Sequence, residues 1–135
     1  MEWSKQLVRV PELFDSHNHN AYEQCIKAGP LIFVAGQVGW DKERGIASLE
    51  FGPQARQAFE NIRLALQAAG AGLADLVAMT VFLTDARYGQ EFLEIRKEVL
   101  AGSFPTSALI TVDKLYDPRL LVEIQATAVQ PGWPR

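Results

Sequence analysis

One carboxylate near the end of the chain, Glu123, lies between apolar neighbours in a largely apolar segment. If residues 120–129 form a strand, alternate side chains point to opposite faces: Leu121, Glu123, Gln125 and Thr127 to one, and Val122, Ile124, Ala126 and Ala128 to the other. A carboxylate among apolar neighbours is costly unless it is paired or hydrated, and burial without a cation raises its pKa. Such a group can orient a water molecule or carry a proton. The alternative is a solvated or salt-bridged strand residue.

Two other groups of residues could do chemistry. His17-Asn18-His19, with Asp15, has a spacing that allows two metal ligands, but nothing distant supplies a third and a fourth, so we expect a solvated segment and no metal site. Cys25, the single cysteine, excludes an internal disulfide and is more typical of a small buried side chain than of a nucleophile. Phosphate-loop, dinucleotide-binding and Gly-x-Ser-x-Gly motifs are absent, and we expect no cofactor.

The composition is that of one globular domain. The 135 residues carry a formal net charge of -3, with 48% apolar and 21% charged side chains, and no shift in composition divides residues 1–135. This acidic balance, without a basic block, argues against binding to nucleic acid. No apolar run is long enough to span a membrane, and no signal peptide is visible at the start. We therefore expect a cytoplasmic protein.

Helical periodicity is clearest in residues 52–69. The apolar positions of one stripe recur at helical spacing: Ala55, Ala58, Phe59, Ile62, Ala65, Leu66 and Ala69. Pro53 suits the first turn of such a helix, and Gly70 suits its C-terminal end. A second stripe marks a second helix: Tyr88, Phe92, Ile95 and Val99. Gly102 and Pro105 close it.

Strands account for most of the remaining apolar residues. Runs of β-forming residues occupy 6–10, 26–28, 31–35, 77–83, 108–112 and 120–129, whereas 12–21 and 36–41 are expected to be loops. The order β, β, β, α, β, α, β, β predicts an α+β fold with one sheet and both helices on one face. Because no third helix remains for the other face, we expect copies of the chain to bury it against each other.

Three segments, taken in order, resemble the RidA (YjgF/YER057c/UK114) family. They are AYEQCIKAG with IFVAGQ, then QARQAFENI with AAG and TVFLTD, then FPTS with LVEIQATAV. The resemblance runs from about Tyr22 to Val129 and implies the RidA/chorismate-mutase-like fold, a six-stranded mixed sheet with two helices on one face. It also implies a homotrimer with a barrel-like core and three equivalent clefts between neighbouring subunits.

The activity that the resemblance implies is the hydrolysis of reactive enamines and imines released by pyridoxal-phosphate enzymes. The products are a keto acid and ammonia, and no metal or cofactor is used. Glu123 stands at the cleft glutamate of the family, Tyr22 at its cleft tyrosine, and Gly36 at a glycine that lets a ligand approach the backbone. Trp40 could wall the cleft or contact a neighbouring subunit. The alternatives are a packed aromatic for Tyr22 and an ordinary turn glycine for Gly36.

The chain departs from the family's deaminases at the residue that binds the substrate carboxylate. The deaminases have an arginine two residues after the proline of the third segment, and it forms a bidentate pair with the carboxylate. Counted from Pro105, that position is Ser107, which has no charge. We place Thr106 and Ser107 at the ligand. Arg87, where the deaminases usually have asparagine, could return a positive charge to the cleft or lie in solvent.

These observations lead to three functional hypotheses. The first is a Rid-type hydrolase or tautomerase for a small imine, enamine or related carbonyl compound that lacks the usual α-carboxylate or presents it differently. The second is a non-catalytic small-ligand-binding or pathway accessory protein of the same family. The third, a ribonuclease or translation inhibitor, is disfavoured by the acidic balance and by the absence of a basic and aromatic stripe.

Overall fold

A mixed sheet forms the frame of the molecule. In the computed structural model, which describes residues 2–134, its six strands are β1 (Lys5–Leu7), β2 (Cys25–Ala28), β3 (Leu31–Val38), β4 (Leu76–Leu83), β5 (Thr106–Thr111) and β6 (Val122–Val129). Their order across the sheet is β1-β2-β3-β6-β4-β5. β4 and β5 are parallel, and all other neighbouring pairs are antiparallel. The six-stranded mixed sheet expected from the sequence is confirmed.

Two long helices supply the apolar cover of this sheet. The helices of residues 2–134 are α1 (Ser16–Asn20), α2 (Phe51–Ala68) and α3 (Gly89–Leu100), with single 3-10 turns at Leu73–Asp75 and Ala86–Tyr88. All seven residues of the stripe predicted for the first long helix are buried. After α2, Gly70 takes a left-handed φ of 82°, a conformation that other residues adopt only with strain.

The C-terminal strand lies in the middle of the sheet. The segments β3-α2-β4 and β4-α3-β5 are the two expected β-α-β units, and β6 inserts between β3 and β4, antiparallel to both. A central strand is held by hydrogen bonds on both sides. A side chain on β6 therefore has a rigid support.

The two faces of the sheet differ in what covers them. Under α2 and α3, β6 presents its buried side chains: Val122, Ile124, Ala126 and Ala128. The other face carries Glu123, Gln125 and Thr127, and two apolar side chains there, Phe33 and Ile110, are 44% and 42% exposed. Neither long helix packs on this second face, as the order of the elements predicted.

The segment expected to be a loop at 12–21 contains the short helix α1. The side chain of Asp15 accepts a hydrogen bond from the backbone N–H of Asn18, which caps the start of the helix. Ala21 ends it in the left-handed region, with φ of 59°. This helix is too short to leave a periodic signal in the sequence.

Several strand limits also differ from the expectations. β3 continues past residue 35 to Val38, through a β-bulge between Val34 and Gln37, so Gly36 belongs to the strand and not to a loop. β5 begins at Thr106 because its ladder with β4 starts there. β1 is shorter than predicted, and β6 begins at Val122 rather than at 120. Among residues 2–134, none of the helices is both long and apolar enough to cross a membrane.

Candidate functional site

A cavity of about 570 Å³ opens where β3 ends and β6 begins. Its walls come from four parts of the chain: Asn20, Tyr22, Ala35, Gly36, Val38, Trp40, Tyr116, Leu120 and Glu123. Four of the seven site residues predicted from the sequence therefore meet here, namely Tyr22, Gly36, Trp40 and Glu123. We refer to this space as the Glu123 cavity.

Glu123 enters the cavity from the second position of β6. Across the sheet it is paired with Val38 of β3 and Phe82 of β4, both apolar. Burial raises the pKa of the Glu123 carboxyl above its ordinary value of 4.5, and no nearby cation offsets this effect. The raised pKa expected from the sequence is confirmed. Such a carboxyl can exist in both its acidic and its basic form closer to neutral pH than a free glutamate.

The absence of a side chain at Gly36 makes room for this carboxylate. A Cβ atom at Gly36 would stand 2.3 Å from Oε2 of Glu123 and 2.9 Å from its carboxyl carbon, which is closer than atoms can approach. The β-bulge of β3 brings the glycine into this position. Gly36 thus lets the Glu123 side chain lie against the backbone. From the sequence, a ligand was expected to approach the backbone at this position.

Tyr22 reaches the cavity from the segment that follows α1. Its backbone is held in place because the Ser16 hydroxyl donates a hydrogen bond to the Tyr22 carbonyl at 2.6 Å. Burial, and next the negative charge of Glu123, raise the pKa of the Tyr22 hydroxyl, while Arg44 and Gln24 oppose the shift. The hydroxyl therefore remains protonated and can donate a hydrogen bond beside the carboxylate.

Two buried polar residues of α2 fix the loops around the cavity. The Asn61 side-chain amide donates to the carbonyl oxygens of Val38 and Trp40, at 3.1 and 3.0 Å. The Gln54 amide donates to the Arg119 carbonyl at 3.0 Å, and its carbonyl accepts from the backbone N–H of Leu121 at 2.8 Å. Asn61 therefore supports the Trp40 wall, and Gln54 supports the chain that leads into β6.

Gln54 and Asn61 were not predicted as supports of the site, although their positions in the sequence carried a signal. Both fall on the buried side of α2, beside the apolar stripe. A buried amide must be hydrogen-bonded, and on an apolar helix face its partners are most often backbone groups of adjacent loops. Their positions alone could have identified them as supports for irregular backbone.

Arg44 contacts Trp40 of the cavity wall, and no pattern in the sequence indicated this contact. Its guanidinium carbon lies 4.1 Å from the ring centroid of Phe14 and 5.7 Å from that of Trp40. A guanidinium attracted to two aromatic faces ties the segment before α1 to the loop after β3. This contact depends on a turn in which Arg44 itself takes a left-handed φ of 62°.

The remaining predicted site residues lie elsewhere in the chain. Ser107 of β5 is in register with Met79 of β4, on the helix-covered face, and Thr106 is on the other face, where its hydroxyl donates to the Val77 carbonyl at 3.0 Å. Between β5 and β6 stands β4, so Ser107 and Glu123 are separated by two strand spacings of about 5 Å each and face opposite sides. One chain alone does not bring these two residues to the same ligand.

Arg87 forms a local ion pair. Its Nε and Nη2 atoms donate to the carboxylate of Asp85, at 3.1 and 2.7 Å, and its side chain is 89% exposed. Hydrogen bonding with Asp85 raises the pKa of Arg87 and lowers that of Asp85. The charge of Arg87 is thus already partly balanced, which weakens it as a replacement for the family's arginine.

The other candidate groups have structural partners. His17 pairs with Glu23, and the His19 ring stacks on Phe14 with centroids 5.8 Å apart. No cluster of three or more His, Cys, Asp or Glu side chains that could hold a metal ion occurs within residues 2–134. Cys25 is buried, and this burial raises the pKa of its thiol to about 11, so it behaves as the small apolar side chain that was expected.

Comparison with known proteins gives consistent matches over most of the chain. The family model described as Endoribonuclease L-PSP matches residues 15–130. A RutC family protein of Pyrococcus horikoshii is 38% identical over 109 residues, which cover 79% of this chain and 85% of that protein. The 2-iminobutanoate/2-iminopropanoate deaminase of Salmonella typhimurium is 30% identical over 118 residues, covering 81% and 87% of the two chains.

The solved structures show the same architecture. The crystal structure of RidA from an Antarctic Psychrobacter superposes with a TM-score of 0.85 at 30% sequence identity, and the match covers 92% of this chain and 98% of that one. The arrangement of strands and helices described above is therefore shared with proteins of known fold.

Proposed function

Because this chain belongs to the endoribonuclease L-PSP family, which is the RidA (YjgF/YER057c/UK114) family, we propose that the Glu123 cavity is one half of a small-molecule cleft that a neighbouring copy of the chain completes. In this cleft the protein hydrolyses or tautomerises a small imine, enamine or related carbonyl compound. The observation that carries the proposal is the carboxyl of Glu123, which has a raised pKa and lines an open cavity without a compensating cation.

Glu123 is suited to move the protons of an imine hydrolysis. With a protonated imine, the carboxylate accepts a proton from water while the water oxygen bonds to the imine carbon, and the π electrons of the C=N bond move to nitrogen. The carboxyl then donates that proton to the nitrogen of the resulting carbinolamine. As the C–N bond breaks, the hydroxyl oxygen forms the carbonyl and loses its proton to Glu123. The released ammonia takes this proton and leaves as ammonium, which restores the Glu123 carboxylate.

The other walls of the cavity orient the ligand. The protonated hydroxyl of Tyr22 can donate a hydrogen bond to a carbonyl or hydroxyl oxygen beside Glu123. Trp40, Tyr116 and Leu120 provide apolar contacts that select a small molecule and limit the water around the reacting carbon. No step of this mechanism needs a metal or a cofactor.

Two observations support a homotrimer. The sheet face that carries Gln125 and Phe33 has no helical cover, and burial of such a face between copies removes apolar surface from water. The predicted site residues are also not all together within one chain: four line the Glu123 cavity, whereas Arg87, Thr106 and Ser107 lie outside it. A cleft between neighbouring copies, as in the resemblance, brings one group of each kind together.

The serine at position 107 argues against ordinary 2-imino acids as substrates. A charge-assisted hydrogen bond to a carboxylate contributes about 1.5–3 kcal/mol, and a serine hydroxyl does not replace a bidentate arginine. The name of the Salmonella typhimurium relative describes that protein's substrates. For this chain we propose a substrate whose carboxylate is absent or is placed differently.

The alternative function is a small-ligand-binding protein of the same family that has lost its catalysis. The uncharged residue at position 107 favours it, because binding of a small carbonyl compound in the Glu123 cavity does not need the carboxylate arginine. The two functions differ in what Glu123 does. In the alternative, the carboxylate contributes to affinity and no product forms.

Ammonia release tests the proposed function. The imines of alanine and leucine, generated in place by an amino-acid oxidase, would be compared with a ketimine that has no carboxylate. We expect turnover of the neutral ketimine, and Glu123→Gln should reduce it by about 100-fold or more. Glu60→Gln, which alters an exposed carboxylate of α2, is the matched control and should have no effect. An unchanged rate in Glu123→Gln would exclude Glu123 as the proton carrier, and ligand binding without turnover would support the alternative.

A further inference from the structure

Arg96 of α3 has an environment unlike that of the paired arginines. Within residues 2–134 no carboxylate lies within 4.0 Å of its nitrogen atoms, whereas Arg56, Arg63, Arg87 and Arg119 each pair with one. Burial alone acts on Arg96 and lowers its pKa, but acidic partners raise the pKa of Arg63, Arg87 and Arg119. A partly buried cation without a counter-ion is costly for the folded chain.

One edge of the Arg96 guanidinium is fixed, and the other is available. Its Nη1 atom donates to the Ser107 hydroxyl oxygen at 2.7 Å, and the guanidinium carbon lies 5.2 Å from the ring centroid of Phe92. The N–H groups on Nε and Nη2 make no hydrogen bond within residues 2–134. An edge of this kind matches the two oxygens of a carboxylate, and the hydroxyl hydrogen of Ser107 supplies a further donor beside it.

The acidic neighbours on α3 are engaged elsewhere. Glu98 pairs with Arg56 of α2, and Glu94 accepts a hydrogen bond from Gln90 at 3.0 Å. Neither carboxylate therefore turns toward Arg96. An anion that pairs with Arg96 must then come from outside residues 2–134; Arg96 itself is partly exposed, and Ser107 beside it is exposed.

We infer that Arg96 and Ser107 form a carboxylate-binding subsite, which one chain contributes to the cleft whose Glu123 belongs to its neighbour. The inference rests on the proposed function, because it assigns the subsite to that cleft. Ser107 then has a defined role: it holds the guanidinium of a helix residue at the strand position where the family's deaminases carry their own arginine.

The short side chain of Ser107 determines how far the carboxylate of a ligand must lie from its reacting carbon. A serine side chain is much shorter than an arginine, so the guanidinium that binds its hydroxyl stands closer to β5 than one carried by residue 107 itself. In the proposed cleft we therefore expect this cation to stand farther from Glu123 of the neighbouring chain. The ligand is therefore a keto or imino acid in which one or more additional carbons separate the carboxylate from the reacting carbon.

Acetate tests the subsite independently of any catalysis. In an NMR titration of the whole protein, the Nε–H resonance of Arg96, identified by its loss in Arg96→Gln, should shift and saturate with acetate. Ser107→Ala should weaken this response about fivefold, since one supporting hydrogen bond is lost. The resonance of Arg63, which is paired with Glu60, is the internal control. If Arg96 does not respond to acetate, or responds equally to sodium chloride, the subsite is excluded.

The binding of levulinate, pyruvate and methyl levulinate tests the role of the Arg96–Ser107 subsite in the cleft. Levulinate, whose carboxylate is remote from its carbonyl, should bind more tightly than pyruvate, and Arg96→Gln should weaken it at least about tenfold. Methyl levulinate, which has no charge, should bind wild type and variant equally, and Arg63→Gln should bind all three as wild type does. Pyruvate binding as tight as that of levulinate would overturn the spacing argument. If Arg96→Gln weakened the binding of levulinate and of methyl levulinate equally, Arg96 would have only a structural role.

The inference and the proposed function fail in different ways. If acetate shifts Arg96 but no carbonyl probe binds and Glu123→Gln changes nothing, the subsite stands and both its role in the cleft and the proposed function are wrong. If Glu123→Gln abolishes turnover while Arg96 never responds to acetate or levulinate, the proposed function stands and the inference is wrong.

Discussion

The two faces of strand β6 show how one segment serves packing and function separately. On one face, Val122, Ile124 and Ala128 are completely buried under α2. On the other, Gln125 is exposed and Glu123 is partly buried, and this burial raises the pKa of the Glu123 carboxyl. The backbone, the hydrogen bonds and the rigidity are common to both faces. What differs is the cover, since helices cover one face and the other remains open to a partner.

This difference assigns distinct consequences to substitutions at adjacent positions. The covered face should determine the stability of each chain, independently of protein concentration. The open face should determine assembly and the contribution of Glu123 to the ligand site, because Glu123 and the exposed apolar side chains Phe33 and Ile110 lie there. Substitutions at adjacent positions of β6 change opposite faces of the sheet. They can therefore separate the effect on chain stability from the effect on assembly and ligand binding.

The largest effect is expected at the open face. Phe33→Asp places a charge on the apolar surface that three copies would share in the proposed trimer, where its cost is multiplied. The protein should therefore dissociate from about 45 kDa, three chains of 15.0 kDa, to single chains. Leu93→Asp, an equally exposed leucine on α3, is the matched control and should remain trimeric. Light scattering at micromolar concentration distinguishes them. A wild-type protein of 15.0 kDa would contradict the trimer directly.

The covered face should give the next largest effect. Ile124→Ala removes a fully buried side chain and should lower the free energy of unfolding by about 3 kcal/mol, through lost burial and the cavity left behind. Gln125→Ala on the opposite face should act only through assembly. Urea titrations at several protein concentrations separate the two. The effect of Ile124→Ala should not vary with concentration, and a strong dependence on concentration would place it at the interface instead.

A smaller and more local effect is expected at Gly36. In Gly36→Ala the new methyl group would displace the Glu123 carboxylate, so the pKa of that carboxyl should fall back toward 4.5, while unfolding changes little because a flexible side chain can yield. Gly72→Ala, with nothing within 4 Å of the added carbon, is the control. NMR titration of the labelled Glu123 carboxyl reports the shift. An unchanged pKa would mean that the glycine serves the ligand and not the carboxylate.

The smallest effect concerns pH and thermal stability. The pKa of Glu123 is raised in the folded chain, so the folded state binds its proton more tightly, and stability from this group is present below about pH 4.5 and is lost as pH rises through the raised value. Glu123→Gln cannot ionise. At equal protein concentration it should therefore raise the melting temperature slightly near neutral pH and leave it unchanged near pH 4. A lower melting temperature near neutral pH would show that the ionised carboxylate is stabilised by a partner.

Much of the fold could be predicted because its signals are local. The stripe of α2 and the alternation along β6 each depend on one element, and both predictions are confirmed. The short helix α1 and the bulge at Gly36 were not predicted, since five residues and one extra residue leave no period. The limits of β3 and β5 depend on the neighbouring strand, which the sequence does not display.

The site was predicted less completely, for a physical reason. Tyr22, Gly36 and Glu123 could be proposed because their types match a family pattern, and Trp40 because it follows Gly36 closely; the structure brings all four to one cavity. The supports of that cavity and the contact of Arg96 with Ser107 arise from the packing of helices on the sheet, between residues far apart in space until the chain has folded. That the Glu123 cavity of one chain and the Arg96–Ser107 pair of its neighbour form one cleft stays a prediction.

Mixed trimers test most directly whether two chains build each cleft. Glu123→Gln and Arg96→Gln chains, each unable to bind and turn over ligand normally, would be unfolded, combined in equal amounts and refolded together. If each cleft takes Glu123 from one chain and Arg96 from its neighbour, about one cleft in four receives both intact residues. Turnover of the levulinate imine, which needs the carboxyl of Glu123 and the guanidinium of Arg96, should then return to about that fraction of the wild-type rate. If both residues served a site within one chain, every site would carry a defect, and mixing would restore nothing.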